Sequence, residues 1–142
     1  MENHLRVLIL EDNQFFREAF KTVLHDRLPA LIIEEAGNGE EALQKIKGEP
    51  PDLIFVDMRL AGMSGLDLAQ NVKRDFPFIR IAMLTGYDFP EYRRKASQFG
   101  VDRYFVKDSL DWRELEEFVQ YLLKEKKADI SLLSLKLLSK WT

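Results

Sequence analysis

The stretch LIFVDMRLAGMSG, residues 53–65, decides the fold. Its first four residues, Leu53 to Val56, are apolar and favour a β-strand, and the fifth, Asp57, is a carboxylate. A strand without polar alternation is typical of a parallel sheet that helices cover on both faces. In such a sheet, ligands bind at the carboxyl ends of the strands. We therefore expect Asp57 to lie in a ligand site.

The rest of the chain alternates between short apolar runs and segments with helical spacing. Strands alternating with helices imply parallel pairing, right-handed crossovers and helices on both faces of the sheet. The sequence therefore predicts an α/β fold built from five strand–helix units. Strands are predicted at 5–10, 31–36, 52–56, 79–84 and 104–106, with a helix after each, and Ser64 and Asp111 are predicted N-caps.

Composition restricts the classes of protein that fit. A chain of 142 residues fits one domain, and a net charge of -3 gives no basic field for nucleic acid. The chain has no cysteine, which excludes disulfides, a thiol nucleophile and a cysteine zinc site. We find no signal peptide and no apolar run near the ~20 residues that span a bilayer. These features predict a cytoplasmic protein.

Charged residues follow three of the predicted strands. Glu11 and Asp12 follow the first strand, Asp57 the third and Lys107 the fifth. If these strands are neighbours, three carboxylates and one ammonium meet at the same edge, and repulsion raises the pKa of at least one acid. A divalent cation relieves that repulsion. Oxygen ligands without histidine or cysteine favour Mg²⁺.

With these residues in place, the chain resembles the receiver domain of two-component response regulators over roughly residues 4 to 124. The resemblance implies a flavodoxin-like (βα)5 doubly wound sheet with strand order 2-1-3-4-5, followed here by a C-terminal helical extension. It also implies Mg²⁺-dependent phosphoryl transfer from a histidine kinase or phosphotransfer protein. The matching pieces are Glu11-Asp12, Asp57 in FVDMRLAGMSG, Thr85-Gly86 in AMLTGY, and Tyr104 and Lys107 in YFVK.

The resemblance assigns a role to each residue near the phosphoryl group. Asp57 would accept the phosphoryl group, and Lys107 would pair with its oxygens. Asp12 would bind Mg²⁺ (or Mn²⁺) together with Asp57 and the backbone carbonyl of Arg59, while Glu11 would hold the water shell of the ion. A carboxylate attacking phosphorus is a recognised form of covalent catalysis, and cations stabilise the charge on the transferring group.

The resemblance also implies a switch and a site mouth. Thr85 would donate its hydroxyl to a phosphoryl oxygen, and Tyr104 would change rotamer as Thr85 moves. Gly86 leaves room for the incoming group, and Arg59 and Tyr87 should flank the mouth. We predict that both side chains slow the access of water and so affect dephosphorylation.

Two positions depart from the family pattern. Ala61 stands where proline is usual in the loop after the phosphoacceptor, and Asp108 stands where proline usually follows a cis peptide bond. A cis bond before a residue other than proline costs about 2.5–4 kcal/mol, so we expect a trans bond here. A trans bond could shift the Lys107 ammonium and place Asp108 near it.

Other readings fit less well. A haloacid-dehalogenase-like phosphatase needs a second acid two residues after its nucleophile, and Arg59 stands there. A flavodoxin-like FMN site needs a Ser/Thr/Gly-rich loop after the first strand, and the chain has EDNQFF. A pseudo-receiver, which has the fold without phosphorylation and acts as an interaction module, stays open as the alternative.

We expect a domain boundary at residue 124. We expect a receiver domain at 1–124, then a charged hinge and an amphipathic C-terminal helix at 125–142, which is either a linker or a dimerisation segment. In that helix Ile130, Leu133, Leu137 and Trp141 share one stripe, while Leu132 and Leu135 point to the other side.

The expected partners are a sensor histidine kinase or a phosphotransfer protein. A homodimer would form through the face of helix 4, strand 5 and helix 5, or through the C-terminal helix. We expect no direct binding of nucleic acid by this segment and no membrane association. The protein is expected to be a signalling domain that promotes its own phosphorylation and dephosphorylation rather than an enzyme.

Overall fold

Five parallel strands form the central sheet of the computed structural model, which describes residues 4–140. The spatial order of the strands is β2-β1-β3-β4-β5, numbered along the chain, as the family resemblance implies. A two-residue antiparallel ladder, Arg59–Leu60 with Met63–Ser64, follows β3. The strands are β1 Leu5–Leu10, β2 Leu31–Ala36, β3 Leu53–Val56, β4 Arg80–Thr85 and β5 Arg103–Val106.

A helix follows every strand, as predicted. The Asn13 side chain caps the first helix by accepting from the Phe16 amide, and Asp111 caps the last, as expected. Ser64 is the N-cap of the third helix, but its side chain makes no capping hydrogen bond. The helices are α1 Gln14–Arg27, α2 Gly39–Gly48, α3 Gly65–Asp75, α4 Pro90–Gln98 and α5 Trp112–Ser139.

The hydrophobic core lies in two layers, one on each face of the sheet. Residues of α2, α3 and α4 pack on one face, and residues of α1 and α5 pack on the other. In β3, Ile54 and Val56 belong to the first layer and Leu53 and Phe55 to the second. This double burial explains why the strand before Asp57 has no polar alternation.

The charged run at 124–129, where we expected a hinge or a helix end, lies within helix α5. Helix α5 continues through it for 28 residues without a break. Lys126 donates to the His4 carbonyl at 2.7 Å and to Asp52 Oδ2 at 2.8 Å, and Arg80 donates to Glu125 at 2.8 Å. These charges fasten the helix to the amino-terminal edge of the sheet.

The division at residue 124 therefore remains a prediction, because the helix itself marks no boundary there. Trp141, which we placed on the apolar stripe, lies outside the described residues. No helix within residues 4–140 combines the length and apolar character that a bilayer crossing requires.

Candidate functional site

The carboxyl edge of the sheet brings together the acids that follow β1 and β3. Oxygens of Glu11, Asp12 and Asp57 all lie within 4.8 Å of one another. Glu11 is buried at 3% exposure, Asp57 is half-buried and Asp12 is exposed. The arrangement arises because β1 and β3 are neighbours in register, with Leu10 beside Val56.

Lys107, directly after β5, extends its ammonium into this cluster. Its Nζ lies 3.0 Å from Asp57 Oδ2 and donates a hydrogen bond to Glu11 Oε1. Burial alone would lower the pKa of Lys107, but the hydrogen bonds to Glu11 and Asp57 outweigh it and raise that pKa. The lysine is therefore held in its charged form beside the two acids.

Glu11 is only partly satisfied in this arrangement. Burial raises the pKa of Glu11, while the hydrogen bond and the charge of Lys107 act against that rise. Its second oxygen, Oε2, is buried without a hydrogen-bond partner among the described residues. A buried carboxylate oxygen without a partner is costly. Together with the two nearby acids, it fits a site for a hard divalent cation and its waters.

The loop after β3 orients the two other acids. The Ala61 amide donates to Asp12 Oδ2 at 3.1 Å, and the Arg59 amide lies 3.4 Å from Asp57 Oδ1. A proline at position 61 would have no amide hydrogen to donate. The departure from the family pattern at Ala61 therefore supplies a contact to Asp12.

Two residues that shape the site were not predicted from the sequence. The Lys107 ammonium lies 4.4 Å from the centroid of the Phe16 ring, which adds a cation–π contact. A Cβ atom on Gly65 would lie 1.9 Å from the Asp57 carbonyl oxygen, so only glycine permits this close approach. Phe16 looked like an ordinary core residue of α1, and nothing in its spacing signalled the lysine.

Thr85 and Tyr104 both form hydrogen bonds with the backbone of Tyr87. Thr85 is fully buried, and its Oγ1 lies 3.4 Å from the Tyr87 amide. The Tyr104 hydroxyl donates to the Tyr87 carbonyl, and the Arg93 guanidinium lies 4.7 Å from the centroid of the Tyr104 ring. Burial raises the pKa of Tyr104, so its hydroxyl keeps the proton that it donates.

Arg59 and Tyr87, which we predict to flank the site mouth, contact each other. The Arg59 guanidinium lies 4.6 Å from the centroid of the Tyr87 ring. Gly86 is exposed, and a Cβ built on it would have no atom within 4 Å. Within residues 4–140 no peptide bond is cis, so the bond before Asp108 is trans, as expected. Asp108 itself is exposed.

The sheet order and the acids beside a lysine define a class of protein. The response regulator receiver domain model matches residues 7–120, and the chain belongs to that family. The chain is therefore a receiver domain of two-component systems, a signalling fold.

Particular relatives support the assignment. The chain is 30% identical over 103 residues to the response regulator protein VraR of Staphylococcus saprophyticus, across 72% of this chain and 49% of VraR. It is 25% identical over 126 residues to the uncharacterized transcriptional regulatory protein YesN of Bacillus subtilis, across 88% of this chain and 34% of YesN. The matched part thus spans half or less of these curated relatives.

Solved structures agree with the fold. A CheY-like receiver domain protein from Methanospirillum hungatei has a TM-score of 0.77 at 27% identity, covering 89% of this chain and 98% of that chain. The response regulator TrrA of Thermotoga maritima, in complex with Mg²⁺ and BeF, has a TM-score of 0.72 at 35% identity. That similarity covers 83% of this chain and 98% of TrrA.

Proposed function

We propose that the chain is a phosphoaccepting receiver domain, in which Asp57 takes a phosphoryl group from a histidine kinase or phosphotransfer protein. The observation that carries this proposal is the position of the Asp57 carboxylate. It is half-buried, 3.0 Å from the Lys107 ammonium and within 4.8 Å of oxygens of Glu11 and Asp12. These distances support the proposal, because the roles of nucleophile, cation and metal ligands need their groups to lie together.

The transfer is a simple displacement at phosphorus. A carboxylate oxygen of Asp57 forms a bond to phosphorus, and the bond between phosphorus and the donor nitrogen breaks. The donor imidazole keeps the electron pair, and the product is an acyl phosphate on Asp57. Lys107 stays protonated throughout and pairs with the phosphoryl oxygens, which lowers the energy of the charge developing there.

The metal ligands of this proposal are oxygen atoms. Asp12, Asp57 and the Arg59 carbonyl would hold Mg²⁺, or Mn²⁺, directly, and Glu11 would hold its waters through the unpartnered Oε2. When bound, the ion neutralises negative charge shared by the carboxylates and the phosphoryl group. The crystal structure of TrrA in complex with Mg²⁺ and BeF supports a role for the metal in this fold.

The phosphoryl group would be detected through Tyr87. About -1.5 to -2 charges arrive with a phosphoryl group by analogy with phosphorylated hydroxyl residues. Thr85 would leave the Tyr87 amide to donate to that charge, which releases one of the contacts that hold the Tyr87 backbone. Tyr104 bonds the carbonyl of the same residue, so its rotamer would respond. The surface that would change as a result is formed by α4, β5 and α5.

A phosphodonor assay tests the proposal. Acetyl phosphate with Mg²⁺ should add the mass of one phosphoryl group to the intact protein and none to the Asp57→Asn variant. The Asp75→Asn variant is the matched control, because Asp75 is an exposed aspartate paired with Arg74, and it should be modified like the wild type. No modification of the wild type would favour the pseudo-receiver, and equal modification of the Asp57→Asn variant would mean that another residue accepts the phosphoryl group.

A further inference from the structure

The second half of α5 leaves the domain. Residues 127–139 continue the helix past the hydrogen bonds of Lys126 to the His4 carbonyl and Asp52, and of these residues only Ile130 is partly covered. An exposed contiguous apolar surface marks an interaction site. The exposed leucines are Leu132 at 53%, Leu133 at 58%, Leu135 at 63%, Leu137 at 52% and Leu138 at 64%.

The apolar residues of this segment lie on two opposite sides of the helix. Ile130, Leu133 and Leu137 continue, at helical spacing, the side that buries Leu122 in the core. Leu132 and Leu135, with Ala128, form a second stripe on the other side. A membrane surface covers one side of an interfacial helix. A partner helix also covers one side, so the charged residues beside the first stripe must distinguish the two.

A groove at the amino-terminal edge of the sheet adjoins the first stripe. It has a volume of about 390 Å³ and is partly lined by Leu122 and Asp129 of α5. On the side of the sheet, Leu5, Pro77 and Phe78 also line it, and Phe78 is 63% exposed. The remaining lining residues are charged: Asp52, Arg80, Glu125 and Lys126. The groove meets the first stripe at Asp129, which precedes Ile130 in the chain.

We propose that this surface binds the same surface of a second copy of the chain, with the two helices antiparallel. Place Ile130 and Leu133 at positions a and d of a heptad; Asp129 and Lys136 then both occupy position g. In an antiparallel pair, g faces g of the partner helix, so Asp129 of each copy meets Lys136 of the other. In a parallel pair, g faces e, and Asp129 meets only Ser134.

This charge pattern is self-complementary, which is what a two-fold interface requires. Asp129 and Lys136 are both exposed, and neither has an ion-pair partner within residues 4–140 of its own chain. The pairing also sets the two helix dipoles in opposite directions. Stable interfaces bury ~1,200–2,000 Å² in total, whereas this surface consists of thirteen residues of one helix and a small groove beside it. We therefore expect a dimer that depends on concentration.

The first test is the molar mass of the intact chain by light scattering over a range of concentrations, without phosphodonor. The mass should rise from 16.7 kDa towards twice that value. The double variant Leu133→Ser/Leu137→Ser should stay monomeric. The matched control, Leu132→Ser/Leu135→Ser, makes the same chemical change on the opposite stripe and should keep the dimer. Circular dichroism melts of both variants check that the receiver domain stays folded.

The second test fixes the orientation. Asp129→Lys and Lys136→Asp should each weaken the dimer by about tenfold, since each sets like charges opposite one another. The double variant Asp129→Lys/Lys136→Asp should regain the wild-type dissociation constant. Because the chain has no cysteine, mixing Asp129→Cys and Lys136→Cys proteins offers an independent check. The mixture should form a disulfide between the two different variants.

Three results would overturn the inference. A wild-type chain that stays at 16.7 kDa at the highest concentrations has no such interface. A dimer that survives Leu133→Ser/Leu137→Ser uses another surface. Monomers that co-sediment with phosphatidylglycerol vesicles, and lose that binding in the leucine variants, would instead make the segment a membrane contact. None of these results depends on Asp57, so the test is separate from that of the proposed function.

Discussion

The carboxyl edge of the sheet and the exposed half of α5 are opposites in polarity. At the sheet edge, charged groups are buried: Glu11 is 3% exposed and its Oε2 has no partner within the described chain. In residues 127–139, leucines are exposed by more than half, as at Leu135 with 63%. Each region reverses the ordinary rule of apolar inside and polar outside.

The two reversals are costly in different ways, and the difference indicates what each region binds. Burying a charge without full pairing costs free energy that a cation or a phosphoryl group can recover. Exposing leucines to water costs free energy, which is recovered only when another apolar surface covers them. The first region therefore points to a small charged ligand and the second to a macromolecular partner.

The largest expected effect comes from removing the cation of the first region. Lys107→Met keeps a side chain of similar length but removes the ammonium group that pairs with Glu11 and Asp57. Breaking a buried pair costs about 3–5 kcal/mol. Because the Lys107 side chain is 17% exposed, we expect a loss of about 2–3 kcal/mol in the free energy of unfolding. Urea unfolding at neutral pH measures it.

Lys21→Met is the control for that variant. Lys21 also pairs with a glutamate, Glu35, at 2.9 Å, but its side chain is 42% exposed. Its removal should cost less than about 1 kcal/mol, as for other surface pairs. Equal losses from the two variants would mean that the sheet edge stores no unusual electrostatic energy.

The next effect concerns the affinity for Mg²⁺. Glu11→Gln removes a carboxylate that would hold water of the ion, and loss of such support costs about 10–100-fold in metal affinity. Burial raises the pKa of Glu11 above its ordinary value of 4.5, so protons compete with the metal at pH values above 4.5. The affinity of the wild type for Mg²⁺ should therefore fall as the pH is lowered from neutral towards the pKa of Glu11.

Calorimetric titration with Mg²⁺ at several pH values measures both effects. In the Glu11→Gln variant, the affinity should be lower and should vary less with pH, because the amide does not titrate. Glu18→Gln is the control, since Glu18 is exposed on α1 and accepts from Gln14 at 3.0 Å. An unchanged affinity in Glu11→Gln would remove Glu11 from the metal site.

A smaller effect is expected at the site mouth. Arg59 and Tyr87, which we predict to flank the opening, make a cation–π contact at 4.6 Å. Arg59→Ala or Tyr87→Ala should admit water more readily and shorten the lifetime of the phosphorylated state by about threefold to tenfold. The decay of the phosphorylated mass after donor removal measures the lifetime. Arg74→Ala, at an exposed site remote from the mouth, should decay like the wild type, and unchanged decay in the mouth variants would contradict the prediction.

The alternation of parallel strands and helices followed from the residue pattern because parallel strands leave two strong signals, whereas the strand order came from the family resemblance. Leu53 to Val56 are apolar on both faces, and a helical pattern separates each strand from the next. The meeting of Glu11, Asp57 and Lys107 followed from topology, since each side chain follows a strand. Sequence could not reveal the contact of Phe16 with Lys107, because α1 must be packed on the sheet before the ring and the ammonium meet.

The contacts of the charged run at 124–129 could not be predicted from the sequence, for a physical reason. A run of charges looks solvated when it is considered alone, but Lys126 and Glu125 reach partners that are distant in sequence. Those partners are Asp52 and Arg80, at the opposite ends of their strands from Asp57 and Thr85. Local composition carries no information on such distant pairs.

The smallest expected effect is on the free energy of unfolding when the exposed end of α5 is removed. Deleting residues 129–142 removes every leucine of the exposed stripes but keeps the ion pairs of Glu125 and Lys126. Because the exposed segment contributes little to the domain core, the free energy of unfolding should change by less than about 0.5 kcal/mol at low protein concentration. The single variant Lys126→Met should cost more, since it breaks bonds to the His4 carbonyl and to Asp52. Urea unfolding followed by circular dichroism compares the two. If the deletion costs more than Lys126→Met, the leucines stabilise their own domain rather than an interface with a second copy.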